Sequence, residues 1–152
     1  MYWEEKIDRL KKRFSQDEFR VPFSDWSGIM KKMEARFVIS NKATYQYNNW
    51  PEGLKERIVL RKTTSQAIPT EISKLNHVTN YWVVIGLGND SMTQLLVYDC
   101  KPAAIKDLAA IAPGDFYVGD KKYQWLVYFS MDKTANAVTL IKAGDFPTPF
   151  DF

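Results

Sequence analysis

The segment YQWLVYF, residues 123–129, constrains the fold of this chain more than any other stretch. It carries no charge, and successive side chains of an extended strand point to opposite faces of a sheet. One face would carry Tyr123, Trp125, Val127 and Phe129. The other would carry Leu126 and Tyr128, so it is largely apolar as well. Such a strand needs cover on both faces, and the segment is therefore predicted to be an inner strand of a sheet.

Helical periodicity marks the beginning of the chain. Four apolar residues recur at helical spacing and form one stripe, namely Trp3, Ile7, Leu10 and Phe14. Ser24 or Asp25 suits the N-cap of a second helix. The buried face of that helix is predicted to comprise Trp26, Ile29 or Met30, Met33 and Phe37.

The middle of the chain has weaker patterns. Tyr45 and Tyr47 alternate with polar residues, which indicates a short strand. Proline is favoured in the first turn of a helix, where its missing N–H costs nothing. Short helices are therefore predicted near Pro51 to Leu60 and near Pro69 to Leu75.

From residue 81 onward the pattern becomes one of strands, rich in β-branched and aromatic residues. They are predicted at Tyr81 to Leu87, Leu95 to Tyr98, Phe116 to Val118, Tyr123 to Phe129 and Val138 to Ile141. One helix begins near Pro102 and ends at Pro113-Gly114. Helices followed by strands are typical of α+β domains. The predicted fold class is α+β, with N-terminal helices packed on a mostly antiparallel sheet of about five strands with one inserted helix.

Gly86-Leu87-Gly88 raises the possibility of a glycine-rich phosphate loop. A dinucleotide fingerprint needs a strand, the loop and then a helix. Here the third glycine position holds Ser91, and the next strand begins too soon to leave room for a helix. The glycines are therefore predicted to mark a hairpin turn.

The length of 152 residues suits a single domain. Residues 1–144 are predicted to form that α+β domain, and residues 145–152 an extended Pro/Phe-rich C-terminal tail. Pro147 and Pro149 cannot donate backbone hydrogen bonds. The tail carries Phe146, Phe150 and Phe152, which are expected to pack over their own domain or to dock on a partner.

The bulk composition restricts the cellular setting. The single Cys100 cannot form an internal disulfide, which favours a reducing compartment. No stretch is long and apolar enough for a membrane span, and the N-terminus lacks a signal-peptide pattern. The formal charge of +3 is mild. The protein is predicted to be cytoplasmic, without a membrane partner, and the sequence indicates no oligomeric state.

Residues that could carry catalysis are few. His77 is the only histidine, which excludes multi-histidine metal sites. His77 and Cys100 could in principle form a thiol-protease pair, but neither lies in a recognisable local motif. No catalytic residue, cofactor site or metal site is therefore predicted, and the chain is not expected to be an enzyme.

The strongest alternative in the enzyme class is a small metal-dependent nuclease. Such enzymes hold Mg²⁺ with an Asp and a D/E-x-K motif, and the lysine steadies the developing charge. Asp120-Lys121-Lys122 matches D-x-K, with Asp99 and Asp115 upstream. Because Gly119-Asp120-Lys121-Lys122 is also typical of an ordinary turn, an exposed hairpin that binds no divalent metal is preferred.

Nucleic-acid binding is the runner-up function. Basic residues near an aromatic side chain can contact phosphates and stack on bases. The candidates are Arg57, Arg61, Lys62, Lys121 and Lys122 beside Tyr123. The isoelectric point of about 8.9 falls short of the value above about 9 that is typical of dedicated binders. A nucleic-acid partner is therefore less favoured than a protein partner.

The string DFYVGDKKYQWL, residues 115–126, resembles the C-terminal strands of small bacterial proteins of the SUKH-type immunity superfamily. The resemblance covers about the last third of the chain. It implies a compact α+β domain that binds and neutralises a toxin without catalysis of its own. The Leu-Pro segment and Asn-Gly-Gly stretch typical of that superfamily's N-terminal part are missing here, so no binding residue is carried over.

The sequence therefore predicts a non-enzymatic protein-binding domain, of the toxin-immunity or regulatory kind. Interfaces between proteins are enriched in aromatic residues, and this chain is rich in them. The residues proposed to contact a partner are Phe146, Phe150, Phe152, Lys121, Lys122 and Tyr123.

Overall fold

A computed structural model describes residues 2–21, 26–39, 53–87, 94–144 and 146–152. Within these ranges the α-helices are α1 (Trp3–Arg13), α2 (Trp26–Phe37), α3 (Ile68–Ile72) and α4 (Pro102–Ile111). The strands are β1 (Phe19–Arg20), β2 (Ile58–Thr64), β3 (Tyr81–Leu87), β4 (Gln94–Cys100), β5 (Phe116–Gly119), β6 (Leu126–Asp132) and β7 (Ala137–Ala143). Short 3-10 helices occupy Ser65–Ala67 and Pro149–Asp151.

The described strands form one antiparallel sheet in the order β1-β4-β3-β5-β6-β7-β2. The α+β class and the antiparallel sheet are confirmed, and α4 is the inserted helix. The sheet has seven strands rather than about five. The two additional strands, β1 and β2, lie at its two ends, where period-2 patterning is weak.

The helix predicted near Pro51 to Leu60 is wrong over its described part, residues 53–60, none of which is helical. Ile58, Val59 and Leu60 belong to β2, which pairs with β7 from Ile58 opposite Lys142 onward. Pairing with a formed neighbouring strand and the β-branched side chains of Ile58 and Val59 outweigh the helix signal of the preceding proline. The predicted strand at Tyr45 and Tyr47 and the N-cap at Ser24 or Asp25 lie outside the described residues.

Both faces of the sheet are covered. The first face packs under α1, α3 and α4, which contribute Ile7, Leu10, Ile68, Ile72, Ile105 and Leu108. The second face packs under α2, which contributes Ile29, Met30, Met33 and Phe37. The sheet therefore lies between two helical layers, hereafter the α1 face and the α2 face.

The inner-strand prediction is confirmed, because β6 lies between β5 and β7. Trp125, Val127 and Phe129 are buried on the α1 face, whereas Leu126 and Tyr128 are buried on the α2 face. The strand begins at Leu126 rather than at Tyr123, because Tyr123 has a φ of 56° and belongs to the preceding turn.

The predicted stripes of α1 and α2 are confirmed with one exception. Ile7 and Leu10 are buried, and Trp3 and Phe14 pack against the same cluster. In α2 the first residue of the stripe, Trp26, is 47% exposed. It is the first residue of the helix.

The segment Tyr81–Leu87 pairs with Gln94–Cys100 as an antiparallel hairpin, with Leu87 opposite Gln94. The antiparallel pairing of the two strands is therefore confirmed. Gly86 and Leu87 are residues of β3, and the turn predicted after them falls on residues 88–93, which lie outside the described residues. None of the helices in the described part of the chain has the length and apolar composition needed to cross a bilayer.

Candidate functional site

Two adjoining hollows lie between α1 and the β1–β4 end of the sheet. The larger, of about 310 Å³, is lined by Lys11, Phe14, Gln16, Phe19, Arg20 and Val21. The smaller, of about 220 Å³, is lined by Trp3, Glu4, Ile7, Asp8, Lys11, Val21, Leu96 and Tyr98. Both hollows share Lys11 and Val21 in their linings, and together they are hereafter called the α1 groove.

The helical wall of the groove follows from the apolar stripe of α1. Ile7 and Leu10 anchor the middle of the helix in the core. Trp3 and Phe14, at the two ends of the stripe, are only half-buried and leave part of each ring facing the groove. Trp3 is held in place by a hydrogen bond from its Nε1 to the hydroxyl of Tyr98, at 2.8 Å.

The opposite wall is formed by the short strand β1. Phe19 pairs with Cys100 on the neighbouring strand β4. The ring of Phe19 stacks on that of Tyr98, with the two ring centroids 5.6 Å apart. The turn between α1 and β1 is closed by the carboxylate of Glu18, which accepts a hydrogen bond from the backbone N–H of Ser15 at 3.0 Å. This hydrogen bond is the main reason why the pKa of Glu18 is lowered.

The floor of the groove carries no charge. Tyr98 is buried, and this burial raises the pKa of its hydroxyl to about 12 although the hydrogen bond from Trp3 acts in the other direction. The phenol therefore stays neutral at any physiological pH. The groove offers an apolar, aromatic floor whose polar atoms are already engaged with each other.

The rim of the groove is charged, and the signs are separated along it. Glu4 and Asp8 are exposed beside Trp3 and Tyr98. Arg20 is exposed beside Phe14 and Phe19, and the exposed Lys11 lies where the two hollows meet. One end of the groove is therefore acidic and the other basic.

Lys121 does not form part of a free basic surface. Its Nζ contacts the buried carboxylate of Asp99 at 2.6 Å and lies 4.6 Å from the ring centroid of Trp82. Asn80 donates a hydrogen bond to Asp99 Oδ1 at 2.8 Å. Arg20 Nε lies 3.9 Å from Asp99 Oδ2, the oxygen that Lys121 contacts. This Asp99 cluster ties the β5–β6 turn to β4 and β1.

The other two predicted residues of the turn differ in exposure. Lys122 is exposed. Tyr123 is partly buried on the α2 face, and Lys32 Nζ lies 5.7 Å from its ring centroid. Because Phe150 is buried on the α1 face, Tyr123 and Phe150 lie on opposite faces of the sheet and do not form one binding surface.

The carboxylates of the nuclease alternative serve three separate local structures. Asp120 accepts hydrogen bonds from the backbone of Gln124 at 2.7 Å and of Trp125 at 3.3 Å. Asp115 accepts from the backbone of Met131 and from the hydroxyl of Tyr128, and Asp99 is paired with Lys121. Within the described ranges, no three His, Cys, Asp or Glu side chains are grouped so that they could hold a metal ion.

Cys100 and His77 occupy different environments. Cys100 is completely buried, and its burial raises the pKa of the thiol well above its ordinary value. His77 is exposed. A thiolate nucleophile needs a lowered pKa, so the environment of Cys100 opposes the chemistry of a thiol protease.

The three phenylalanines of the tail have different surroundings. Phe150 is completely buried against Trp125 and Phe129, with ring centroids at 5.8 and 5.4 Å. It belongs to the core and offers no surface to a partner while it is docked there. Phe146 is 39% exposed and Phe152 is 91% exposed. The segment Pro149–Asp151 forms a 3-10 turn, which allows Phe150 to point into the domain.

Comparison of the chain with protein-family models, curated proteins and solved structures finds no match. The geometry of the chain itself is therefore the basis for inferring its function. Sequence patterns did not reveal the α1 groove, because its far wall is a strand of two residues. The available signal was that the stripe of α1 begins with Trp3 and ends with Phe14, which are large aromatic residues at the margins of a buried face.

Proposed function

We propose that this chain is a non-enzymatic protein-binding domain, of the toxin-immunity or regulatory kind, and that its partner docks in the α1 groove. The observation that carries the proposal is the open aromatic depression built from Trp3, Phe14, Phe19 and Tyr98. Aromatic anchors in a water-excluding pocket, surrounded by a charged rim, are the usual source of affinity at protein interfaces.

The charges of the rim favour a protein over a nucleic acid. A phosphate backbone requires a surface of one sign, and Glu4 and Asp8 would repel it at one end of the groove. In the described part of the chain, the ring of Trp82 near the β5–β6 turn is already in contact with a lysine. Lys121 lies over the ring of Trp82 and covers the face that a base would need.

The groove also defines the chemistry of its partner. A complementary segment places apolar side chains in the two hollows and an acidic residue opposite Lys11 and Arg20. Basic residues at its other end would face Glu4 and Asp8. Such a two-signed arrangement fixes the direction in which the segment lies and excludes partners of uniform charge.

The resemblance of residues 115–126 to the SUKH-type immunity superfamily supports a toxin as the partner. Under this proposal the domain acts in the cytoplasm by occupying a surface of the toxin. The buried, protonated Cys100 thiol is compatible with a reducing compartment. A gene for a large polymorphic toxin beside the gene for this chain would strengthen the immunity assignment.

The proposal is tested by affinity purification from the cells that express the chain, followed by calorimetry with the protein recovered. Two variants alter the groove: Phe14→Ala removes an aromatic wall, and Lys11→Glu reverses one rim charge. Loss of an interface anchor costs about 2 kcal/mol or more, which corresponds to a roughly 30-fold weaker Kd. We expect each groove variant to weaken binding by that factor.

Matched controls make the same chemical changes away from the groove. Phe152→Ala removes a ring that is 91% exposed, and Lys62→Glu reverses a charge on β2 at the opposite end of the sheet. Both controls should bind with unchanged affinity. Equal losses in controls and groove variants, or recovery of nucleic acid instead of protein, would contradict the proposal.

A further inference from the structure

The C-terminal tail docks in the domain in the way that a peptide docks in a receptor. Phe150 fills a slot on the α1 face, where it makes edge-on contacts with Trp125 and Phe129. Thr148 is also buried and accepts a hydrogen bond from the backbone of Phe150 at 3.0 Å. Phe146 and Phe152, on either side, are exposed. One aromatic anchor therefore supplies most of the apolar contact.

Cationic side chains of the domain surround the mouth of this slot. Lys142 Nζ binds Asp151 at 2.8 Å, and Arg61 donates to the main-chain oxygen of Phe150 at 2.6 Å. Lys74 donates to the main-chain oxygen of Phe152 at 2.7 Å. Hereafter these cations and the pocket between Trp125 and Phe129 are called the Phe-Asp slot.

The charges show what the slot requires from its occupant. Glu71 neutralises Arg61 and Lys74 from within the domain, at 2.8 Å from each. Lys142 is 6% exposed, and in the described part of the chain its ion pair is with Asp151 of the tail. A buried ammonium group without a counter-ion is costly. The slot therefore requires a segment in which an aromatic residue is followed directly in the sequence by an acidic residue.

The connection to the tail is compatible with movement of the tail as a unit. Gly144 has a φ of +79°, a conformation that L side chains rarely adopt, and it directly follows β7. Pro147 and Pro149 stiffen the segment beyond it. The backbone N–H of Gly144 donates to the main-chain oxygen of Lys55 at 2.7 Å, so the tail leaves the sheet beyond Gly144. Exchange would carry residues 146–152 to an identical slot on a second copy.

We propose that the Phe-Asp slot is a recognition site for a Phe-Asp segment and that a second copy of this chain supplies this segment by exchange of tails. Exchange of an identical element needs no new complementarity, because every contact of the closed monomer is formed again. In dilute solution the chain's own tail occupies the slot, because the short connection gives this tail an effective concentration of about millimolar. We expect exchanged dimers after refolding at comparable protein concentrations.

The test uses two full-length variants with complementary defects. Phe150→Ala has an intact slot and a defective tail, whereas Lys142→Met has an intact tail and a slot without its ammonium group. Each alone should remain monomeric by light scattering after refolding at high concentration. Their mixture should give a heterodimer, in which the intact tail of the second variant fills the intact slot of the first. A mixture that remains monomeric would overturn the exchange.

A peptide of residues 146–152 tests the slot independently of dimerisation. At about 100 times its Kd, it should raise the Tm of the Phe150→Ala variant by roughly 5–10 °C. The same peptide with Phe150→Ala, or with Asp151→Asn, should have little effect, and a peptide with Phe152→Ala should act like the original. The wild-type protein should respond less, because its own tail competes.

If the Phe150→Ala protein fails to fold, the Asp151→Asn protein replaces it. This variant retains the phenylalanine ring of the core, but its tail lacks the carboxylate and therefore competes weakly with the peptide. No peptide response from either folded variant would overturn the recognition site. A peptide response without any dimer would overturn the second copy as its occupant. Neither result depends on the α1 groove, so the two proposals fail separately.

Discussion

Replacement of Trp125 by alanine tests the placement of the central strand. The side chain is 5% exposed and lies directly before β6, between Tyr81 and Phe150, with both ring centroids 5.8 Å from its own. Removing a buried Trp or Phe ring costs about 3–5 kcal/mol, because the neighbours only partly fill the cavity. A domain of this size loses roughly 2–4 °C of Tm per kcal/mol, so Tm should fall by roughly 6–20 °C.

Urea unfolding followed by far-UV circular dichroism is the suitable assay, since tryptophan fluorescence changes with the substitution itself. The matched control is Trp26→Ala, because that ring is 47% exposed at the first residue of α2. The control should lose less than about 1 kcal/mol, as is usual for surface substitutions. A loss below about 1 kcal/mol for Trp125→Ala would refute the burial of this ring, and a changed m-value would indicate a changed degree of compactness.

Three other predictions concern charged groups. Lys121→Ala leaves the buried carboxylate of Asp99 without its ammonium partner and should lower the free energy of unfolding by about 1–3 kcal/mol in urea melts. The control Lys122→Ala, at the neighbouring exposed residue, should change it by less than about 0.5 kcal/mol. Equal losses in the two variants would contradict the pairing of Lys121 with Asp99. Burial acts to raise the pKa of Asp151, but hydrogen bonds from Lys142 and Thr148 outweigh it and hold the pKa below the ordinary 3.8. Stability should therefore fall as the pH drops below that value towards the lowered pKa, and this fall should shrink in Asp151→Asn. Calorimetry with Mg²⁺ and Mn²⁺ should show no binding to the β5–β6 turn, whereas metal-dependent nucleic-acid cleavage abolished by Asp120→Asn would restore the nuclease alternative.

Strong periodicity made much of the fold predictable from the sequence. The stripe of α1 and the doubly apolar segment of β6 each have one arrangement that buries all their apolar residues. The hairpin of β3 and β4 was predictable because two strand patterns follow each other with too few residues between them for a helix.

The edge strands were not predictable, because they depend on pairing rather than on pattern. Ile58, Val59 and Leu60 form part of β2 because β7 offers a partner, whereas their local sequence also suits a helix after a proline. β1 has only Phe19 and Arg20, which is too short for any periodicity. Tertiary context decides the structure of such segments.

The contacts between residues far apart in sequence were the least predictable of all. Lys121 looks like a solvent-exposed turn residue in the sequence, yet Asp99 of β4 and Trp82 of β3 hold it in place. Phe150 and Phe152 look equivalent in the tail, but only Phe150 reaches the core because a 3-10 turn directs it inward. Contacts between residues so far apart in sequence leave no local signal.

Site-specific photo-cross-linking tests the α1 groove as the partner-binding surface most directly. A photoreactive benzoylphenylalanine placed at residue 14 keeps an aromatic ring in the groove wall, and the same residue at position 152 serves as the control on an exposed ring. Irradiation in the cells that express the chain should give one discrete protein adduct from position 14 and none from position 152. No adduct from position 14, an adduct with nucleic acid, or equal adducts from both positions would contradict the proposed function.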